Sequence, residues 1–148
     1  RWCSSRRSVG AEVYALTADP IDVAHVRAAV SDPRHGAILV FEGVARDDGG
    51  LVELSYEAYP ELAVPVMERI GSEATARWGA RVAIVHRTGS VALEEPSLVV
   101  AVGTPHRPEC YEASRWVLEE LKAHLPVWKK EITTDGSEWK ANAPGGES

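Results

Sequence analysis

Apolar residues recur every three or four positions in two stretches of the chain, and this spacing predicts two long helices. The first covers residues 60–78 and ends before Gly79, a residue suited to closing a helix. The second covers residues 108–125. Pro65 complicates the first helix: either it begins near Val64 with this proline in its first turn, or its first turn is irregular.

Shorter runs rich in branched and aromatic residues predict strands on both sides of these helices. The predicted strands cover 12–17, 37–45, 51–59, 81–87, 97–104 and 127–133, with a short extended piece at 138–140. A further helix is predicted from Asp19-Pro20 to about Val30, since proline is favoured at the first helical position. Antiparallel strands interrupted by two long helices indicate an α+β fold in a single domain.

The run 37–45 is rich in Ile, Leu, Val and Phe, which predicts a buried strand. A turn-forming Asp-Asp-Gly-Gly segment at 47–50 follows it, and the next predicted strand begins at once. We therefore predict that 37–45 and 51–59 pair as a β-hairpin.

The length and composition fit one globular domain, with 148 residues, 45% hydrophobic and 26% charged. We expect the domain at 11–140, a disordered or cloning-derived segment at 1–10, and a flexible tail at 141–148. There is no apolar run of the ~20 residues that a membrane span needs. No secretory signal is visible, and two cysteines are too few for a disulfide framework, so we expect a cytoplasmic protein.

The net charge of −6 argues against nucleic-acid binding, but cationic residues gather in one part of the chain. Lys122 lies at the end of the second long helix, and Lys129 lies just inside the following strand. His106 and Arg107 lie where a strand leads into that helix, whose N-terminus favours an anion. The pattern predicts a pocket for a small phosphorylated ligand, and the histidine spacing predicts no metal site.

Adjacent strand residues point to opposite faces, so only one of Lys129 and Lys130 faces such a pocket. The pattern of neighbouring residues does not decide between them. Glu131 either pairs with Lys129 and orients it or forms a plain surface ion pair. Cys110 lies four residues after His106, a spacing that suggests a cysteine hydrolase, although a free cysteine on a helix is more often a small buried residue.

A series of motifs resembles the large, catalytic subunit of molybdopterin synthase, in the order found in that family. They are GAILVFEGVAR (36–46), LSYEAYP (54–60), HRTG (86–89), HR (106–107), LK (121–122), PVWKKE (126–131) and DG (135–136). The resemblance covers 36–139 and implies an α/β-hammerhead fold.

The resemblance also implies an activity, a substrate and partners. Sulfur would pass from the thiocarboxylated C-terminus of a small ubiquitin-like subunit to cyclic pyranopterin monophosphate, without a cofactor. The assembly would be a heterotetramer built on a homodimer of this chain. Lys122 and Lys129 match the family's catalytic lysines, and Arg46, His106 and Arg107 match its substrate-binding residues. Lys122 would act electrostatically, as a proton donor or by transient acyl capture, and these alternatives stay open.

One departure from the family and one alternative function accompany this hypothesis. The family commonly has an arginine a few residues after the tryptophan matched by Trp139, and here the chain has Lys140-Ala141-Asn142-Ala143. Lys140 would supply a point charge without the bidentate fork of arginine. The alternative is a non-catalytic adaptor that holds a phosphorylated ligand or an acidic peptide tail in the same cationic pocket.

Overall fold

The computed structural model describes residues 13–47 and 49–141. Within them, the helices are α1 (Val23–Ala28), α2 (Pro60–Trp78) and α3 (Arg107–His124). The strands are β1 (Val13–Thr17), β2 (Ala37–Val44), β3 (Leu51–Glu57), β4 (Arg81–Arg87), β5 (Gly89–Ala92), β6 (Pro96–Thr104), β7 (Trp128–Thr133) and β8 (Gly136–Ala141). The predicted segment 1–10 lies outside the described ranges, as does the predicted tail 141–148 apart from Ala141, the last residue of β8.

The strands form two four-stranded sheets. The first sheet has the order β1-β4-β6-β2, with β1 parallel to β4 and the other neighbours antiparallel. The second sheet has the order β5-β3-β7-β8 and is antiparallel throughout. The predicted α+β class is confirmed, and the two long helices lie close to their predicted bounds.

The two faces of the first sheet carry separate cores. Val82 and Ile84 of β4 pack in one cluster with buried residues of α2 and α3. Ala83 and Val85, which alternate with them along the strand, pack in the other cluster with Val26 of α1. This alternation follows from the two-residue period of a strand, and it explains why β4 is apolar along most of its length.

The predicted hairpin between 37–45 and 51–59 is wrong. β2 pairs with β6 in the first sheet, whereas β3 pairs with β5 and β7 in the second. The chain passes from the first sheet to the second between β2 and β3. There Asp47 Oδ1 accepts hydrogen bonds from the backbone N–H groups of Gly49, Gly50 and Leu51. Pairing between distant parts of the chain, rather than the local turn signal, therefore determines the partner of each strand.

The prediction that 37–45 is buried is also wrong. β2 lies at the edge of the first sheet, and its apolar side chains are partly exposed. The exposed fractions are 38% for Leu39, 36% for Val40, 42% for Phe41 and 50% for Val44. Within the described ranges only β6 pairs with this strand, so one row of its backbone groups faces outward.

The structure corrects one predicted boundary, decides between the two alternatives for the start of α2, and adds one strand. The first helix begins at Val23, because Asp22 rather than Asp19 caps it by accepting from the backbone N–H of His25. α2 begins at Pro60 and runs through Pro65, so it does not begin near Val64. The link between β4 and β6 contains the short strand β5, which was not predicted.

Candidate functional site

Lys129 and Lys130 lie on different sides of the second sheet. In the pairing of β3 with β7, Lys129 is opposite Tyr56 and Lys130 is opposite Ser55. Residues directly opposite each other in an antiparallel pair project from the same face. Lys129 therefore shares a face with Tyr56 and with Leu54, which is buried in the core. The register distinguishes the two lysines, which the sequence pattern did not.

Glu131 lies two residues further along β7, on the same face as Lys129. The Lys129 Nζ and Glu131 Oε2 atoms are 3.9 Å apart, and the two side chains are 31% and 29% exposed. A pair at this distance and exposure contributes little to stability. Its chemical effect is to keep a carboxylate beside one ammonium group of the candidate site.

Lys122 lies in the last turn of α3 and is half-buried, next to the buried Leu121. Only residues 125–127 separate α3 from β7. The backbone N–H of Leu125 donates to Leu121 O at 3.0 Å, and that of Val127 donates to Leu125 O at 3.0 Å. This tight turn brings the C-terminal end of α3, with Lys122, to the start of β7, with Lys129.

Arg46 lies at the end of the first sheet where β2 ends and β6 begins. It is exposed and follows β2, on a segment fixed by the hydrogen bond from Glu94 N–H to Ala45 O at 3.1 Å. Upstream, Gly43 O accepts from the hydroxyl of Ser97 at 3.2 Å, and that hydroxyl accepts from the hydroxyl of Tyr56. Since Tyr56 is the cross-strand neighbour of Lys129, these bonds connect the strand of Arg46 with the strand of Lys129.

His106 and Arg107 lie at the opposite end of that sheet. The pairing of β2 with β6 puts Thr104 opposite Ala37 and Pro96 opposite Val44. The length of β2, about 24 Å at the usual rise per residue, thus separates His106 and Arg107 from Arg46. Both residues are exposed at the start of α3. One chain does not bring the three predicted phosphate ligands together.

Cys110 belongs to the core. It is fully buried, and its thiol donates to Val102 O at 3.3 Å. His106, the base that a cysteine hydrolase would need, is exposed. The arrangement agrees with the structural interpretation of this cysteine and gives the hydrolase hypothesis no support.

Among the residues that the structure describes, no three His, Cys, Asp or Glu side chains are grouped so that they could hold a metal ion. No helix in the same ranges has the length and apolarity needed to cross a membrane.

Three residues next to the candidate site were not predicted as site residues: Tyr56 and His86, which lie in two of the family motifs, and Ser97. The Tyr56 ring meets the His86 ring edge-on at 4.9 Å. His86 Nδ1 donates to Arg87 O at 2.7 Å, and burial lowers the pKa of His86 to about 4. These side chains come from three strands, so no local sequence signal could have grouped them.

The position just after Trp139, where the chain lacks the arginine common in the family, lies in β8. In the pairing of β7 with β8, Lys140 is opposite Lys129. The residue that stands near the family's missing arginine therefore belongs to a strand adjacent to the candidate lysine.

Comparisons with known proteins agree with this fold and these motifs. The family model described as MoaE protein matches residues 16–124. The chain is 39% identical over 140 residues to molybdopterin synthase catalytic subunit 1 of Mycobacterium tuberculosis, covering 91% of this chain and 95% of that protein. It is 39% identical over 132 residues to the molybdopterin synthase catalytic subunit of Bacillus subtilis, covering 86% and 84%.

A solved molybdopterin synthase structure is also similar to this chain. The crystal structure of molybdopterin synthase from Staphylococcus aureus superposes with a TM-score of 0.83 and 34% sequence identity, covering 86% of this chain and 96% of that one. The family model spans well over half of the chain, and the relatives align over most of their own length. The chain therefore belongs to the MoaE protein family.

Proposed function

We propose that this chain is the catalytic subunit of a molybdopterin synthase. It transfers sulfur from the thiocarboxylated C-terminus of a small ubiquitin-like subunit to cyclic pyranopterin monophosphate, in the cytoplasm. The observation that carries the proposal is the arrangement of Lys122 and Lys129 on adjoining elements, with Arg46 at the same end of the first sheet. The sequence similarity to molybdopterin synthase catalytic subunits supports it.

The charges suit this chemistry. The thiocarboxylate is an anion, and a thioester forms when its sulfur bonds to the pterin. Negative charge then develops on the acyl oxygen as water adds to this thioester, which releases the sulfur with the pterin and leaves a carboxylate on the small subunit. Ammonium groups fixed beside that point stabilise the charge, and they do so more strongly in a partly desolvated site. Lys122, half-buried at the end of α3, is the residue we assign to the acyl group. Arg46 binds the substrate phosphate by its guanidinium fork.

His106 and Arg107 enter the site from a second copy of the chain. The exposed apolar edge of β2 suits antiparallel pairing with the same strand of that copy about a two-fold axis. Such pairing puts the Ala37 end of one β2 against the Val44 end of the other. It brings His106 and Arg107 of the second copy to about 10 Å from the strand end that precedes Arg46, given the usual strand spacing. Long side chains span that gap.

Disrupting the β2 edge is expected to separate the two copies. The Phe41→Asp variant places a carboxylate in the middle of the exposed apolar strand, where pairing would bury it at high cost. Light scattering after size exclusion should give a dimer for the parent chain and a monomer for the variant. The variant should also lose synthase activity. A parent chain that is monomeric at working concentration would contradict this assembly.

Mixing two defective variants tests whether the site is shared between copies. Lys122→Ala and Arg107→Ala dimers, allowed to exchange subunits, should recover about one quarter of parent activity, since half of the dimers then contain one intact site. Lys122→Ala mixed with Lys129→Ala is the control and should recover nothing, because both lysines belong to the same copy. No recovery in the first mixture would show that Arg107 acts within its own chain.

The proposed activity is tested by reconstitution. The purified chain, a thiocarboxylated small subunit and cyclic pyranopterin monophosphate should yield molybdopterin, measured as its fluorescent oxidation product. Lys129→Ala and Lys130→Ala form a matched pair, since they remove the same charge from opposite faces of β7. We expect a loss of about tenfold or more for the first and a change of less than about twofold for the second. A chain that binds the small subunit but forms no product would be an adaptor.

A further inference from the structure

Two hydroxyl groups, one on the half-buried Tyr56 and one on the buried Ser97, join the second sheet to the first beside the candidate site. The Tyr56 hydroxyl, on β3, donates to Ser97 Oγ on β6 at 3.2 Å. The Ser97 hydroxyl donates to Gly43 O on β2, also at 3.2 Å. The partners are 41 and 54 residues apart in the chain, so this bridge exists only in the folded protein.

The bridge has a residue of the proposed site near each end. At one end, Tyr56 is the direct cross-strand neighbour of Lys129. At the other end, Gly43 precedes Arg46 by three residues, at the point where the register of β2 against β6 shifts. The segment from Gly43 to Arg46 is held at a second carbonyl, that of Ala45, by the backbone N–H of Glu94.

The surroundings of the bridge keep it in one arrangement. Ser97 is 7% exposed, and the Tyr56 ring is held edge-on against the buried ring of His86. Burial raises the pKa of Tyr56, and the nearby Glu131 carboxylate raises it further, although the Ser97 bond opposes them. The phenol therefore stays protonated and acts as the donor. Buried hydroxyl groups that lost their partners would be left unsatisfied, which is costly.

We propose that Tyr56 is a positioning residue that, through Ser97, sets the place of Arg46 relative to Lys129. This inference rests on the proposed function. Phosphate bound at Arg46 and the sulfur-bearing group beside Lys129 must lie at a defined separation, and the bridge connects the two strands that determine it. Small displacements of a binding group cost large factors in rate. Tyr56 itself does not contact substrate in this account.

The Tyr56→Phe variant tests the inference because it keeps the ring against His86 and removes only the hydroxyl. We expect the KM for cyclic pyranopterin monophosphate to rise about five- to tenfold, with affinity for the small subunit unchanged. Ser97→Ala should give a similar rise, and Ser97→Thr, which keeps a hydroxyl, should restore most of the parent value. Tyr111→Phe, which alters an exposed tyrosine of α3, is the control and should match the parent chain.

The double variant Tyr56→Phe/Ser97→Ala separates positioning from general stability. Groups in one bridge are not additive, so we expect its KM to equal that of either single variant. A role in stability alone would lower the melting temperature and leave KM unchanged well below it, and that result would overturn the inference. Rises in KM that multiply in the double variant would also overturn it. If the parent chain itself forms no product, the proposed function fails instead.

Discussion

Replacing Lys122 with alanine is expected to lower the rate of molybdopterin formation by about 100-fold or more. The change removes the half-buried ammonium that we place beside the acyl group of the small subunit. Losing one fixed group that stabilises developing charge typically costs a factor of this size. Binding of the small subunit should remain, because its affinity comes from a larger surface. The measurement is single-turnover product formation with saturating small subunit.

The Lys122→Arg variant separates the possible roles of this lysine. Arginine keeps the positive charge, but it neither gives up a proton near neutral pH nor forms an acyl adduct readily. Substantial activity in the arginine variant would indicate an electrostatic role. Activity as low as that of Lys122→Ala would indicate proton donation or acyl capture. Near-parent activity in Lys122→Ala would contradict the assignment of this residue to the reaction.

The stability of the fold is expected to fall as the pH decreases from about 6.5 to 4, through His86. Burial lowers the pKa of this histidine to about 4 in the folded protein, whereas in the unfolded chain it has its ordinary value near 6.5. Across that window the unfolded state binds the proton and the folded state does not. Protonation therefore favours unfolding, by up to about 3 kcal/mol at the acid end.

A variant isolates this contribution from that of the other titrating groups. His86→Asn keeps a donor that can reach Arg87 O but has no charge to gain. Urea unfolding of both proteins from pH 7 to pH 4 should show the parent losing about 3 kcal/mol more than the variant. Parallel curves for the two proteins would contradict the account, as would an NMR titration of the His86 ring with a midpoint near 6.5.

The two long helices were predictable from sequence, because their signals are local. The periodic apolar positions of α2, the left-handed Gly79 at its end and the apolar face of α3 all depend on residues within a few turns. The partners of β2 and β3 were not predictable in this way. The sequence at 47–50 favours a hairpin locally, yet β2 pairs with β6 and β3 pairs with β7, strands from distant parts of the chain.

In the candidate site too, some features were predictable from the sequence and others depend on contacts between distant parts of the chain. Lys122, Lys129 and Arg46 could be named from the family motifs. The pattern of neighbouring residues alone did not distinguish Lys129 from Lys130, which the register of β7 against β3 does. Tyr56, Ser97 and His86 had no sequence signal as a group, since their contacts cross between sheets. The separation of His106 and Arg107 from Arg46 also appears only once β2 and β6 are paired.

The most direct test of sulfur transfer is the mass of the small subunit before and after reaction. The chain would be mixed with a thiocarboxylated small subunit, with and without cyclic pyranopterin monophosphate, and the mass of the small subunit would be followed by mass spectrometry. We expect its C-terminal thiocarboxylate to be converted to carboxylate only when the pterin is present, in step with molybdopterin formation. A small subunit that keeps its sulfur in the presence of this chain and the pterin, in a complex shown to be intact, would contradict the proposal that this chain catalyses the transfer.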